Sequence, residues 1–569
     1  MTPARSFTHA LAARCAAGAD DTALLCLDDA GKATAHTYRA LDTRARTVAA
    51  ALAHRGAAGS PVLVSADGGR PAVEALLGCL YAGAVAVPVP PPDAIGAAGE
   101  RIAAIAADTG ATLALTDSAH APELSRRLAG AGHSGVVCLA VDRLPDDGAG
   151  RRLPDLTGQD TALLHYTAGT TAAPRGVRIT HANLLAAMAD LRAALRTDSR
   201  SRIGGRLPLH HHLGLTGQLL HPLWLGATAV LMPPGLLADT PLRWLREVAR
   251  HGITVTAAPA SAYARCLAEA TDADLADLGL GRLRTAVNAG EPAAAATLAA
   301  FARRFAAAGL RPDAVTTVHG PTEAVSVLST ARPPVHLAVA ADALGRGELR
   351  PPDLGDPVRT VAGGTPAPGV TVRIVDPADA TVLPDGRTGE IWVRGAAVAA
   401  GYWRRPLETA DTFGRATAAG ERGFLRTGDL GALLDGAVYV TGRTKDDLLV
   451  DGRALHPREA ERRLARSGAP FGPAVVLAAH PDHEEIVAVQ EIHGAGWTGR
   501  QLADLAGRVR DCLRAETGAA PGAVVLVRPG AVRRTAGGTV RRSLMRDLYL
   551  RGELRPLYVS AAPAAAERG

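Results

Sequence analysis

Two hydrophobic periods alternate along the first third of the chain. Tyr38, Leu41, Ala45, Val48 and Leu52 share one face of a helical repeat, which predicts an amphipathic helix. Residues 61–65 (PVLVS) and 85–89 (VAVPV) are short unbroken apolar runs that predict buried strands, with a helix over 72–81 between them. The alternation continues with a helix over 101–108 and strands over 113–116 and 135–141. Strands buried on both faces need helices packed on either side, so the pattern predicts an α/β fold of parallel sheets with crossover helices. The most apolar run, 75–89, is too short to span a membrane and ends among Pro88, Pro90, Pro91 and Pro92. It reads as a buried helix followed by a strand.

Farther on, a strand at 162–164 enters a loop of Thr167, Ala168, Gly169, Thr170 and Thr171, closed by Pro174 and Gly176, and a helix follows over 181–191. Residues 253–267 read as a strand and a helix. Between 364 and 403 apolar and polar positions alternate around turns at Pro366, Pro368–Gly369 and Pro384–Asp385–Gly386, which predicts strands over 370–375 and 390–393 in a small β-subdomain. The last segment predicts a helix over 458–464, strands over 474–479 and 486–492 and an amphipathic helix over 500–516. That is a second, smaller α/β unit.

Composition narrows the class. A chain of 569 residues is long enough for several cores, and 47% apolar content with a mean hydropathy of +0.08 describes a globular protein rich in small residues. The net charge is +6, but 62 basic and 56 acidic residues are well mixed, and no Arg run interleaved with aromatics marks a nucleic-acid surface. The six cysteines lack CxxC pairing, which argues against a zinc site or a disulfide framework and fits a reducing compartment. The opening MTPARSFTHALAARC has no signal-peptide core, so a cytoplasmic protein is expected. Lys32 and Lys445 are the only lysines, so chemistry that needs a lysine has two candidates.

Candidate chemistry is concentrated in a few motifs. In LLHYTAGTTAAPRGVRITHANLL (163–185), small residues permit close backbone approach, and clustered hydroxyls and free N–H groups suit phosphate oxygens. The Gly-Lys-Ser/Thr ending of a Walker A loop is missing, and taken alone the segment reads equally as a polar surface loop. In LPLHHHLGLTGQLLHPLW (207–224), His210, His211 and His212 are adjacent; consecutive residues of an extended loop point in different directions, and no partner ligands follow at zinc spacing. RTGDLG (426–431) places Asp429 beside glycines, a carboxylate suited to two ribose hydroxyls or, in isolation, an ordinary turn residue.

Taken in order, these motifs resemble those of the adenylate-forming superfamily of acyl-CoA synthetases and acyl-AMP ligases, and among them fatty acyl-AMP ligases. The phosphate loop of that family reads YTSGTT or YTSGST. GCLYAGAVAVPVPPP (78–92), LRTAVNAGEP (283–292), VHGPTEA (318–324), GEIWVRGAAVAAGYW (389–403) and VTGRTKDDLLVDGR (440–453) each look like the corresponding family stretch. The resemblance implies ATP and Mg2+ as cofactors. It places Thr167, Gly169, Thr170, Thr171, Gly290, Glu291, Pro292, His319, Gly320, Asp429 and Arg443 around the nucleotide. Glu323 is implied as the metal ligand and Thr322 as the hydroxyl at the α-phosphate, which matches the need of carboxylate attack on ATP for charge neutralisation. His211 takes the family histidine position at the acyl pocket, whose further residues are His210, His212, Gly214, Ser261 and Tyr263.

The same resemblance implies the domain plan: 1–441 as a large N-terminal domain of two parallel-rich α/β sheets plus the small β-subdomain, 442–447 as a hinge containing Lys445, and 448–569 as a mobile C-terminal α/β cap. Residues 331–356 resemble the extra segment of fatty acyl-AMP ligases, which implies a carrier-protein phosphopantetheine as acceptor, in secondary metabolism, rather than free CoA.

The match departs from the family pattern in two places. His210 and His212 replace an aromatic residue and Asp, His319 replaces Tyr, and Ala260 and Ser261 replace Asn and Phe, so the acyl pocket is smaller and more polar. In GAVRRTAGGTVRRSL (530–544) the family's catalytic lysine position is Thr539, which cannot put a cation on the transferring phosphate. Arg175, Arg541 and Arg542 are the candidate substitutes. Three readings follow: a ligase that activates a carboxylic acid; altered ATP-dependent chemistry on another oxyanion or a small polar or aromatic substrate, such as the nitrite activation and diazotisation attributed to some relatives, or an amide-forming condensation; and a nucleotide-binding pseudoenzyme.

Overall fold

The computed structural model describes residues 5–561 apart from 66–67, 93–96, 146–151, 168–173, 234–240, 289–294, 326, 445–447, 451–452, 456, 467, 469, 481–482, 518–520 and 535–539. Three sheets organise it. The first has six strands in the order Val137–Ala140, Leu113–Thr116, Pro61–Ser65, Val85–Val89, Thr161–Tyr166 and Gly176–Thr180. Its neighbours are parallel except the last pair, where Gly176–Thr180 folds back against the strand that enters the phosphate loop. The predicted helices appear as Tyr38–Ala53, Arg70–Ala82 and Ala97–Thr109.

The second sheet has thirteen strands. Its parallel part runs Val315–His319, Thr285–Asn288, Val255–Ala258, Arg202–Gly205, Thr228–Leu231 and Thr22–Leu27, with Ala33–Thr37 antiparallel at the edge. An antiparallel wing continues it through Ser329–Ala340, Val358–Pro366, Ala437–Arg443, Leu425–Leu434, Gly389–Arg394 and Thr371–Val375. The strands that the alternating pattern assigned to a small β-subdomain are thus hydrogen-bonded into one continuous sheet with the nucleotide motifs. A four-stranded sheet, Phe471–His480, His483–Ile492, Ala523–Val527 and Pro556–Ala561, forms the C-terminal α/β unit.

The main core lies between the two large sheets, where Leu163, Val177, Ile179, Leu184 and Met188 meet Leu215, Leu219 and Leu220. A second core stacks Tyr263, Phe301 and Phe305 edge-on and face-on behind the thirteen-stranded sheet. The helix His181–Leu195 after the phosphate loop starts in a capping box, Thr180 and Asn183 each accepting from the other's backbone N–H. The Asn183 amide also donates to Ala396 O at 3.0 Å and Val398 O at 2.7 Å, which fastens this helix to the wing. In the parallel parts of the sheets the motifs follow the carboxyl ends of Thr161–Tyr166, Thr285–Asn288 and Val315–His319, where open α/β sheets bind ligands.

Candidate nucleotide and acyl site

One end of the site is built around a buried carboxylate. Asp429, 1% exposed, sits opposite Arg443 in the strand pair Leu425–Leu434 and Ala437–Arg443. Arg443 Nε donates to Asp429 Oδ1 at 2.5 Å, and His319 Nε2 lies 3.0 Å from Oδ2. Burial alone would raise this carboxyl, but the Arg443 guanidinium and His319 outweigh it and hold the group well below the usual carboxylate range. The turn carrying it is held by Glu390, 3% exposed, which accepts from Trp392 Nε1, Arg426 Nε and the Gly428 backbone. Glu390 lies in the quoted GEIWV signature, but only the register of two wing strands shows its supporting role.

A second set of groups flanks the phosphate loop. Arg101 donates to the carbonyls of Tyr166 at 3.1 Å and Thr167 at 2.6 Å, and the Tyr166 hydroxyl donates to Asp108, which also pairs with Arg405. Thr167 N–H donates to Arg175 O at 3.0 Å, closing the loop's neck. Arg175 lies over the ring of Tyr402 at 4.4 Å, and the Tyr402 hydroxyl donates to Glu323 Oε1 at 2.8 Å. A chain of contacts therefore links the loop to the implied metal carboxylate. Glu323 and Thr322 share one helical turn, Thr322–Ala324, and Val325 after it is fully buried at φ 58°, a strained conformation for a β-branched residue. Gly320 is exposed at the end of Val315–His319.

The third set is the histidine loop. Gly214 allows its turn, because a Cβ there would stand 2.2 Å from Pro208 O. Gln218 bonds both the N–H and the C=O of Leu207, and the chain continues as a π-helical segment, Gly214–Leu220. His210, His211 and His212 are half-buried, and desolvation lowers all three, with His211 adding to it at His210 and His212 and Arg101 at His210, so that His210 and His212 fall to about 4. His165, indistinguishable in the sequence from an ordinary core residue, is 3% exposed and meets the His212 ring edge-on at 5.5 Å. Among the described residues no three His, Cys, Asp or Glu side chains are grouped to hold a metal.

Not every implied site residue converges. Tyr263 is fully buried in the second core, its hydroxyl donating to Val287 O at 2.9 Å, so it braces the strand that leads to residues 289–294. Ser261 is exposed one turn away. Gly169, Thr170, Thr171, Gly290, Glu291, Pro292, Lys445 and Thr539 lie outside the described residues. Of the candidate cations, Arg542 is committed to Glu461, at 2.6 and 3.2 Å in the C-terminal unit. Arg541 is near Arg101: burial first, then the Arg541 charge, push Arg101 down.

Comparison with known proteins fits this geometry. The AMP-binding enzyme family matches residues 11–403. The chain is 32% identical over 535 residues to a medium-chain-fatty-acid–[acyl-carrier-protein] ligase of Moorena producens, covering 91% of this chain and 90% of that one. It is 33% identical over 547 residues to a long-chain-fatty-acid–AMP ligase of Mycobacterium tuberculosis, covering 93% of each. A 4-hydroxyphenylalkanoate adenylyltransferase of the same organism is 33% identical, covering 93% of this chain and 88% of the relative. Among solved structures, the fatty acyl-adenylate ligase of L. pneumophila in complex with acyl adenylate and pyrophosphate has a TM-score of 0.75 at 25% identity, covering 98% of both chains. With the family matched over more than half its length and full-length relatives that form acyl adenylates, the chain belongs to the AMP-binding, adenylate-forming enzymes, in the company of the fatty acyl-AMP ligases.

Proposed function

We propose that this protein is an AMP-forming ligase that activates a carboxylic acid as its acyl adenylate and passes the acyl group to a carrier-protein phosphopantetheine in secondary metabolism. The observation that carries the reading is the junction itself, where Glu323, Asp429, Arg443 and the neck of the phosphate loop meet. In this reading ATP lies with its ribose toward Asp429, where His319 and Arg443 close over the carboxylate, and its phosphates toward residues 167–171. Glu323 suits magnesium: one oxygen is steadied by Tyr402 and the carboxylate is half-buried, a donor set that magnesium completes with water and phosphate oxygens. When bound, the ion neutralises charge on the polyphosphate. The acid carboxylate attacks the α-phosphate beside Thr322, with His211 at the acyl side, and pyrophosphate leaves.

The missing cation is the step that needs a substitute. Arg542 is occupied by Glu461 and Arg175 by the Tyr402 ring and the Glu408 carboxylate at 4.0 Å. Arg541 is the remaining candidate: its Nε is buried without a hydrogen-bond partner, and its charge is felt by Arg101 at the phosphate loop. After adenylation, rotation of the unit 448–569 about Lys445, within the hinge 442–447, admits the acceptor.

ATP–pyrophosphate exchange across fatty, aromatic and small acids, with nitrite plus aryl amines as a further arm, tests the reading. Acid-dependent exchange is expected. Absence of exchange, of AMP and of nucleotide affinity would leave a binding protein. Thr539→Lys is expected to raise exchange with an ordinary acid, and Arg541→Ala to lower it in the native background by roughly a hundredfold.

A further inference from the structure

His165 ends the strand Thr161–Tyr166 on the same face as Leu163, which packs in the main core. An aliphatic side chain would complete that face with nothing left to satisfy. The histidine instead buries two ring nitrogens, and neither Nδ1 nor Nε2 has a hydrogen-bond partner among the described residues. His212, edge-on to it at 5.5 Å, and His211 each bury an unpartnered Nδ1. Native interiors leave few polar atoms in this state, and a group of them at one spot requires an explanation. Beside them, His210 is the polar member of a small cavity otherwise walled by Val64, Ala72, Leu76, Pro88, Val89, Leu209 and Leu215, with room for a group about the size of one water.

We propose that His165, together with His212, determines substrate class by reading a hydroxyl group on the acid, so that hydroxylated or phenolic acids are preferred over plain alkyl chains. The proposal rests on the adenylation reading for what the pocket serves. A neutral imidazole offers one donor and one acceptor, and a hydroxyl returns one acceptor and one donor, so the pair is complementary without burying a net charge. An ionised group would need a counter-charge. Arg101, the nearest cation acting on His165, already donates to two backbone carbonyls, and burial keeps the cluster neutral. A site built around such atoms rejects an analogue lacking the hydroxyl, because its own buried groups then stay unpaired.

The test pairs acids that differ only by a hydroxyl: phenylacetate against its para-hydroxyl derivative, and butanoate against its monohydroxylated forms. Each pair is measured by ATP–pyrophosphate exchange and, independently of turnover, by thermal shift in the presence of ATP. The hydroxylated member of at least one pair is expected to lead by roughly tenfold or more in kcat/KM and to give the larger shift. His165→Phe and His212→Phe are expected to erase that preference, while His165→Gln, which keeps a donor and an acceptor, retains it. Exchange with no hydroxyl preference, or a preference untouched in folded His165→Phe and His212→Phe proteins, overturns the proposal and leaves the adenylation reading standing. A hydroxyl preference in thermal shift without exchange overturns the adenylation reading and leaves the proposal. Neither response overturns both.

Discussion

The two ends of the site bury polar groups in opposite ways. Around Asp429 both carboxylate oxygens are engaged, by Arg443 and by His319, and a second buried acid, Glu390, fixes the turn beneath. Around His165, among the described residues, both of its ring nitrogens and the Nδ1 atoms of His211 and His212 have no hydrogen-bond partner. The first end is internally compensated before any ligand arrives, so its shape is set by folding. The second holds a polar deficit, so a ligand that completes it gains more than one that fills it with carbon. The contrast separates the proposed nucleotide end, complete in itself, from the proposed acyl end, which is not.

The contrast can be broken most severely at the nucleotide end. Glu323→Gln removes the charge steadied by Tyr402 and is expected to cost roughly a hundredfold or more in ATP–pyrophosphate exchange with little loss of fold, as read by circular dichroism. Next, Asp429→Asn leaves Arg443 and His319 without their shared anion. Its cost in urea denaturation should fall below the ~3–5 kcal/mol of a fully buried pair, because the Arg443 side chain is 43% exposed, and ATP affinity should fall with it.

At the acyl end, Gly214→Ala forces a Cβ against Pro208 O. It is expected to destabilise by about 1–3 kcal/mol and to weaken acid binding before ATP binding, measured by denaturation and by separate KM values.

The mildest test is pH. Desolvation lowers His165, His210 and His212 from the ordinary value of 6.5, the latter two to about 4, and His221 to about 3. A base held neutral in the fold binds its proton more readily once unfolded. Stability is therefore complete above pH 6.5 and declines as pH falls from there toward 4, by an amount that His165→Phe should reduce. Asp429 works at the other end of the scale: its depressed value contributes stability above the unfolded carboxylate range, lost only as pH falls below about 4. Unfolding midpoints at stepped pH separate the two.

Much of this was legible in the sequence. The strands at 61–65, 85–89 and 113–116 and the helices around 38–52 and 500–516 appear where their periods placed them, because strong local patterns coincide with tertiary burial. The antiparallel return of Gly176–Thr180 was not legible, since its short apolar run sits inside a loop motif and only pairing with Thr161–Tyr166 defines it. Tyr263 shows the limit of reading residues by motif position: its helix turns the ring into an aromatic core while Ser261, two residues earlier, faces outward. His165 was illegible for the reverse reason, because one histidine in an apolar run looks like any core histidine until its missing partners are visible. Tyr402, inside a quoted signature, gained its connection to Glu323 only through a contact across 79 positions.

The continuity of the thirteen-stranded sheet also bears on how this protein can change over evolutionary time. Residues 335–340 pair one for one with 363–358, so inserting one residue there would exchange the two faces of that stretch and disturb its register. Length variation is therefore filtered out of the strands and admitted in the loops at their carboxyl ends. For the same physical reason the strands of the sheet tolerate fewer length changes than the loop that carries three consecutive histidines.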